Sequence, residues 1–138
     1  MTLKDGWALS LAEYELLLLS DKTVEAIERF YADDAIVFEN RALARAGRSA
    51  CVLWEREQRR QLLSPPVTTV RSRGADASGQ TAFFELVQRW QERDGRSLRL
   101  EEVLVQRWHN GKIAEERHYY EGVIDESDAD SLPENALS

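Results

Sequence analysis

Cysteine is almost missing from this chain of 138 residues: Cys51 stands alone, so neither an intramolecular disulfide nor a cysteine metal cluster can form. A basic stripe is missing too. The formal net charge is -7, and the arginines are scattered among acids, which argues against a nucleic-acid partner whose phosphates need a positive surface. Long apolar runs are absent; Leu16 to Leu19 is far too short to span a membrane. The first residues lack the basic start, apolar run and cleavage site of a secretory leader, so the expected location is cytoplasmic. No pairing of the two histidines with acids follows a metal-ligand spacing, and no internal repeat is visible. What remains is ordinary globular composition, 43% hydrophobic and 31% charged, in a length that suits one domain with its own core.

Residues 78–122 organise the rest. Asp94-Gly95 and Asn110-Gly111 are strong hairpin signals, and the segments they separate alternate with the period of a strand. Ala82, Phe84, Leu86, Gln88 and Trp90 share one face of the first segment. Leu98, Leu100, Glu102, Leu104, Gln106 and Trp108 share one face of the second, and Ala114, Glu116, His118 and Tyr120 one face of the third. These stripes are apolar except for carboxylates and a histidine, which are costly to bury unless paired or neutralised. The pattern predicts a sheet cupped around a polar-bottomed pocket. A slip of one residue would turn Glu101 inward in place of Glu102. The opposite stripe, Phe83, Val87, Val103, Val105 and Tyr119, is too apolar to leave in water and predicts a homodimer interface.

Upstream, residues 7–20 read as a helix with Ser10 and Glu13 as a capping box. Thr23 to Tyr31 reads as a second, with Val24, Ile27, Phe30 and Tyr31 on its apolar face. Ala32-Asp33-Asp34 reads as a turn, Ala35 to Glu39 as a short buried strand and Asn40 to Ala46 as an irregular loop over the pocket mouth. Gly47 to Leu63 reads as a third helix, with Val52, Leu53 and Trp54 inward and its charged end in solvent. Ser64-Pro65-Pro66 stops it. Val67 to Arg73 is a further strand and 74–79 a turn. The domain is expected over 1–124, followed by an acidic, flexible tail over 125–138.

Helices followed by a long antiparallel sheet make an α+β fold. The order of elements, with the phrases AIERFYADDAIVFEN at 26–40, Gly47-Arg48, and WHNGKIAEERHYYEG at 108–122, resembles the nuclear transport factor 2-like superfamily, in particular its SnoaL-like branch. The resemblance covers roughly residues 8–124. It implies a cone-shaped curved antiparallel sheet packed with three N-terminal helices (a cystatin-like, or nuclear transport factor 2-like, roll), a deep pocket and frequent homodimers. The superfamily includes isomerases, polyketide cyclases, dehydratases, hydrolases and binding proteins without catalysis, so the fold leaves function open. Against the steroid Δ-isomerase members, Glu39 matches the catalytic aspartate, Tyr14 the first-helix tyrosine and Tyr31 a supporting tyrosine. Leu104 stands where those enzymes carry an acid that donates a hydrogen bond to the enolate oxygen. Without that donor much of the oxyanion stabilisation is missing, and steroid isomerisation itself is set aside.

The resulting expectation is a cofactor-free acid–base site in which Glu39, Glu102, Glu116 and His118 converge as proton donor and acceptor. Tyr14, Tyr31, Trp54, Phe84, Leu86, Gln88, Trp90, Leu100, Leu104 and Tyr120 would contact a small, largely apolar carbonyl or hydroxyl compound. Isomerisation, cyclisation and dehydration all fit such a site, with neither membrane nor nucleic acid as partner. The alternatives are a non-catalytic small-molecule carrier and a homodimeric assembly module of the same fold.

Overall fold

The computed structural model describes residues 3–127. Two helices, α1 (Leu3–Leu19) and α2 (Thr23–Phe30), are followed by the strand pair β1 (Tyr31–Glu39) and β2 (Ala42–Ala46). Helix α3 (Arg48–Arg60) leads into β3 (Val67–Asp76), β4 (Thr81–Gln91), β5 (Ser97–His109) and β6 (Lys112–Tyr119), and a short β7 (Ile124–Asp125) closes the series. The sheet runs β2-β1-β6-β5-β4-β3, with β7 added to β5. It is an α+β fold with a curved, unclosed sheet. All its pairings are antiparallel except β1 on β6, which is parallel. Hairpin signals specify sequential neighbours and carry no information about that crossover. Among the described residues no helix is long and apolar enough to cross a membrane.

The alternating stripes become the two faces of the sheet. In β5, Leu98, Glu102, Leu104, Gln106 and Trp108 are buried, whereas Glu101, Val103 and Arg107 are exposed, so the register that turns Glu102 inward is the one adopted. Asn110-Gly111 closes the β5–β6 hairpin with positive φ at both residues, 51° and 76°, as a tight primed turn requires. The register shifts at Arg107/Trp108, so that Trp108 faces Ile113. Ile113 is therefore the fully buried residue at the start of β6, in the place expected of Ala114. The Asp94-Gly95 turn is longer than a two-residue hairpin, since Gln91 pairs with Ser97.

Several upstream boundaries differ from the sequence reading. Helix α1 starts at Leu3, which puts Ser10 in its interior, where the backbone N–H groups already have intrahelical partners and need no cap. Ala32-Asp33-Asp34 is part of β1. The β1–β6 register breaks between Tyr31 and Ile36, so the turn-like dipeptide rides on an irregular stretch from which Asp33 reaches Arg48 at 2.6 Å. Asn40 to Ala46 is a hairpin rather than a loop: Asn40 takes φ 54° and β2 pairs back on β1. Strand β3 runs on to Asp76, past the expected turn at residue 74. In α3, Cys51 is buried but Leu53 is 66% exposed, because the inward face follows the helical spacing 51, 54, 55 and 58. Pairing extends to Asp125 through β7, and Ser127 accepts a hydrogen bond from the Ser97 amide. The tail from residue 128 onward lies outside the described residues.

The core lies between the helices and the concave sheet face. Tyr14 of α1 meets Phe30, Phe84 and Trp108, each at a ring-centroid distance of 6.2 Å. Leu17, Leu18, Ile27, Val37 and Ile113 pack around this aromatic cluster. Burying such side chains contributes about 1.5–3 kcal/mol each. That margin allows one end of the concave face to be left unfilled.

Candidate functional site

That unfilled end is a cavity of about 270 Å³, near the lower end of small-molecule sites. Leu86, Gln88 and Trp90 reach it from β4, and Leu100, Glu102 and Leu104 from β5. Glu116, His118 and Tyr120 enter from β6 and the residue beyond it, Tyr31 and Glu39 from the two ends of β1, and Tyr14 and Trp54 from helices α1 and α3. Phe84 is the exception among the anticipated residues: it is 2% exposed and lies behind the wall against Tyr14.

The cavity floor is a chain of hydrogen bonds built from the alternation of β5 and β6. His118 donates from Nδ1 to Glu102 Oε2 at 3.1 Å and from Nε2 to Glu116 Oε1 at 2.9 Å. The hydroxyl of Tyr31 donates to the same Glu116 oxygen at 2.6 Å, and Gln106 Nε2 donates to Glu116 Oε2 at 2.8 Å. Trp108 Nε1 donates to Gln106 Oε1 at 3.2 Å, which fixes the amide so that its NH2 faces the carboxylate. Glu116 is thereby saturated, whereas Glu102 spends one oxygen on His118. Gln106 and Trp108 were legible as inward-facing, but nothing in the sequence marked them as supports of a carboxylate.

Burial alone would lower the His118 pKa. The hydrogen bonds to Glu102 and Glu116, with the two negative charges, outweigh it and raise the value to about 10. Burial pushes Glu116 upward, but its bonds from His118, Tyr31 and Gln106 win and hold it below the usual carboxylate value. His118 is therefore an imidazolium at neutral pH with both N–H groups directed at carboxylates. The linkage has a definite sign. The His118 contribution to stability is complete below its ordinary pKa of 6.5 and is lost as pH rises through about 10. The Glu116 contribution is present above 4.5 and is lost as pH falls through its lowered value. Urea unfolding at a series of pH values should show stability declining between pH 7 and 10 by on the order of a few kcal/mol, a slope that His118→Gln flattens. A wild-type stability constant over that range would contradict the assignment.

Glu39 closes β1 beside His118, its register partner. Its nearest cation is Arg45, 3.7 Å away, a loose ion pair beyond hydrogen-bonding reach, and its hydrogen-bonding neighbour is the Tyr120 phenol. Tyr120 stands among these groups. Burial first, then the charges of Glu39 and Glu102, raise its phenol above the ordinary value.

Three charged residues escaped the sequence reading. Glu55 and Arg59, read as the solvent-facing end of α3, line the cavity. Arg59 is held by Asp21 at 2.5 Å and by Glu55 at 3.3 Å, and burial, partly offset by Arg59, raises the Glu55 pKa. The spacing 51, 55, 58 was the available signal, masked by the surrounding run of charges. Arg45 was lost with β2, in a segment read as irregular.

No protein-family model matches the chain, and no curated protein matches it in sequence. Solved structures do. A candidate SnoaL-like polyketide cyclase from Mesorhizobium loti superposes with a TM-score of 0.66 at 22% identity, over 87% of this chain and 100% of the other. A nuclear transport factor 2-like protein of unknown function from Burkholderia pseudomallei gives 0.69 at 13%, over 83% and 90%. A candidate isomerase from Bacillus subtilis gives 0.69 at 16%, over 88% and 90%. At these identities the likeness establishes the fold, which is nuclear transport factor 2-like and SnoaL-like.

Proposed function

We propose that the chain is a cofactor-free acid–base enzyme of isomerase, cyclase or dehydratase type, acting on a small, largely apolar carbonyl or hydroxyl compound. The observation that carries this reading is the loosely held Glu39 carboxylate, partnered only by a 3.7 Å ion pair to Arg45 and by the Tyr120 phenol, in a mainly apolar cavity beside the Glu102–His118–Glu116 chain. Glu39 is the base that takes a proton from a carbon next to a carbonyl and returns it elsewhere on the substrate. His118 and Glu116 are positioning residues that hold Glu102 at the floor. Leu86, Leu100, Leu104 and Trp90 supply the apolar walls, which exclude water and strengthen the electrostatics inside. Structural neighbours described as a candidate polyketide cyclase and a candidate isomerase carry names of the same reaction types.

The test is to incubate the protein with a panel of cyclic ketones in D2O and follow deuterium incorporation beside the carbonyl by NMR. Incorporation well above the buffer rate, lost in Glu39→Gln, is the expected result. Binding without exchange would favour the second reading, a ligand carrier, which the full commitment of both His118 ring nitrogens also fits.

The convex sheet face is proposed as a homodimer interface. Phe83, Val103 and Tyr119 are 40–45% exposed there, while Val87, read with them, is already covered within the chain at 2%. Sedimentation at micromolar concentration should give a dimer that Phe83→Glu dissociates, since an unpaired charge in such a face is costly. A monomeric wild type would refute the interface.

A further inference from the structure

Three cations line the cavity among the described residues, and two are committed. His118 lies between Glu102 and Glu116, and Arg59 between Asp21 and Glu55. Arg45 is the third. Its side chain is 9% exposed, yet its nearest carboxylate oxygen, on Glu39, is 3.7 Å away. The β1–β2 register sets Arg45 opposite the buried Val37, which sends it to the concave side. There its guanidinium carbon lies 3.8 Å from the centre of the Trp54 ring. Stacking uses the flat face of the guanidinium, and of the N–H donors in its plane one reaches the sulfur of Cys51, a weak acceptor. No carboxylate oxygen lies within hydrogen-bonding reach of Arg45, so an acceptor entering the cavity would add the charge-assisted bond it lacks.

We propose that Arg45 receives the carbonyl oxygen of the ligand, so that the cavity selects neutral, ketone-bearing apolar molecules. The proposal rests on the acid–base reading above and names its substrate class and electrophile. The charges on the cavity wall favour a ketone over a carboxylate. The Glu102–His118–Glu116 chain carries one net negative charge, Glu39 offsets Arg45, and burial already pushes the Glu55 carboxyl toward its neutral form. A further negative charge on the ligand would therefore enter a desolvated space that disfavours it. A ketone is neutral on entry and becomes anionic in the enolate. As the C–H bond breaks, the proton passes to Glu39, its electron pair forms the new C=C bond, and the carbonyl π pair moves onto oxygen. Arg45 meets the charge that develops there, and an interaction that strengthens toward the transition state accelerates the step. It supplies from β2 the donor that Leu104 cannot.

The test compares 2-decalone, carrying 13C at the carbonyl, with 2-methylenedecalin, which has the same shape but lacks the oxygen. The wild type should bind the ketone about tenfold more tightly, as expected for one charge-assisted hydrogen bond, and shift its carbonyl 13C resonance downfield. Arg45→Met should abolish both the preference and the shift while binding the hydrocarbon unchanged. Arg45→Lys, which keeps the charge, should retain part of each and guards against a folding defect. Equal preference in wild type and Arg45→Met, or no binding of either probe by the wild type, would overturn the proposal. Its failure is separable from failure of the acid–base reading. Deuterium exchange that survives in Arg45→Met but not in Glu39→Gln removes the role of Arg45 alone. Carbonyl preference without exchange in the wild type removes the enzyme and leaves Arg45 as a recognition residue.

Discussion

Glu39→Gln should slow deuterium incorporation into a bound ketone by about a hundred- to ten-thousand-fold, the usual worth of a positioned general base, with little change in stability. The two halves of this expectation have separate causes. Glutamine has the shape of glutamate but no basic oxygen, so the proton has no acceptor at that place. The side chain is 32% exposed and its one ion pair, to Arg45, is 3.7 Å long, a contact worth under about 1 kcal/mol. Activity would fall and the unfolding midpoint would stay. Exchange kinetics by NMR and urea unfolding on the same samples check both. Retained exchange in Glu39→Gln would move the base to Glu102, whose second oxygen is free of protein donors.

Glu116→Ala should do the reverse and destabilise the fold by about 3–5 kcal/mol, the range for removing one partner of a buried charged pair. Glu116 is 3% exposed and accepts from Tyr31, Gln106 and His118. Truncation leaves three donors without their acceptor, one of them on a cation, and a void that a surrounding sheet cannot close. Glu102 still faces His118, so the imidazolium keeps one partner and the loss stays finite. Urea unfolding of the variant measures it. A loss below about 1 kcal/mol would show that water or rearrangement replaces the carboxylate and that the chain of bonds is not a structural unit.

The cupped sheet and its inward stripes were legible because alternation has one period and two faces. Glu102, Gln106, Glu116 and His118 share the concave side for that reason, and a single buried register was available to them. The β1–β2 hairpin was not legible: Asn40 takes positive φ without a following glycine, and ALARA alternates too weakly to announce a strand. Losing that strand hid Arg45. Glu55 and Arg59 were hidden by composition, since a helix segment reading EREQRR resembles a solvated face until the spacing from Cys51 is followed. Phe84 shares the stripe of Leu86 but packs against Tyr14, because the helices fill that end of the cone and leave the other open. Sequence periodicity gives the face a residue points to, and the packing of α1 and α2 decides whether that face meets a void.

The central physical claim is that a histidine is held doubly protonated between two buried carboxylates beneath the cavity. Long-range 1H–15N NMR of the imidazole rings reads it directly, with exposed His109 in the same spectrum for comparison. His118 should show both ring nitrogens protonated at pH 8 and begin to change only as pH approaches 10. A His118 ring that loses a proton between pH 6 and 7 would contradict the account.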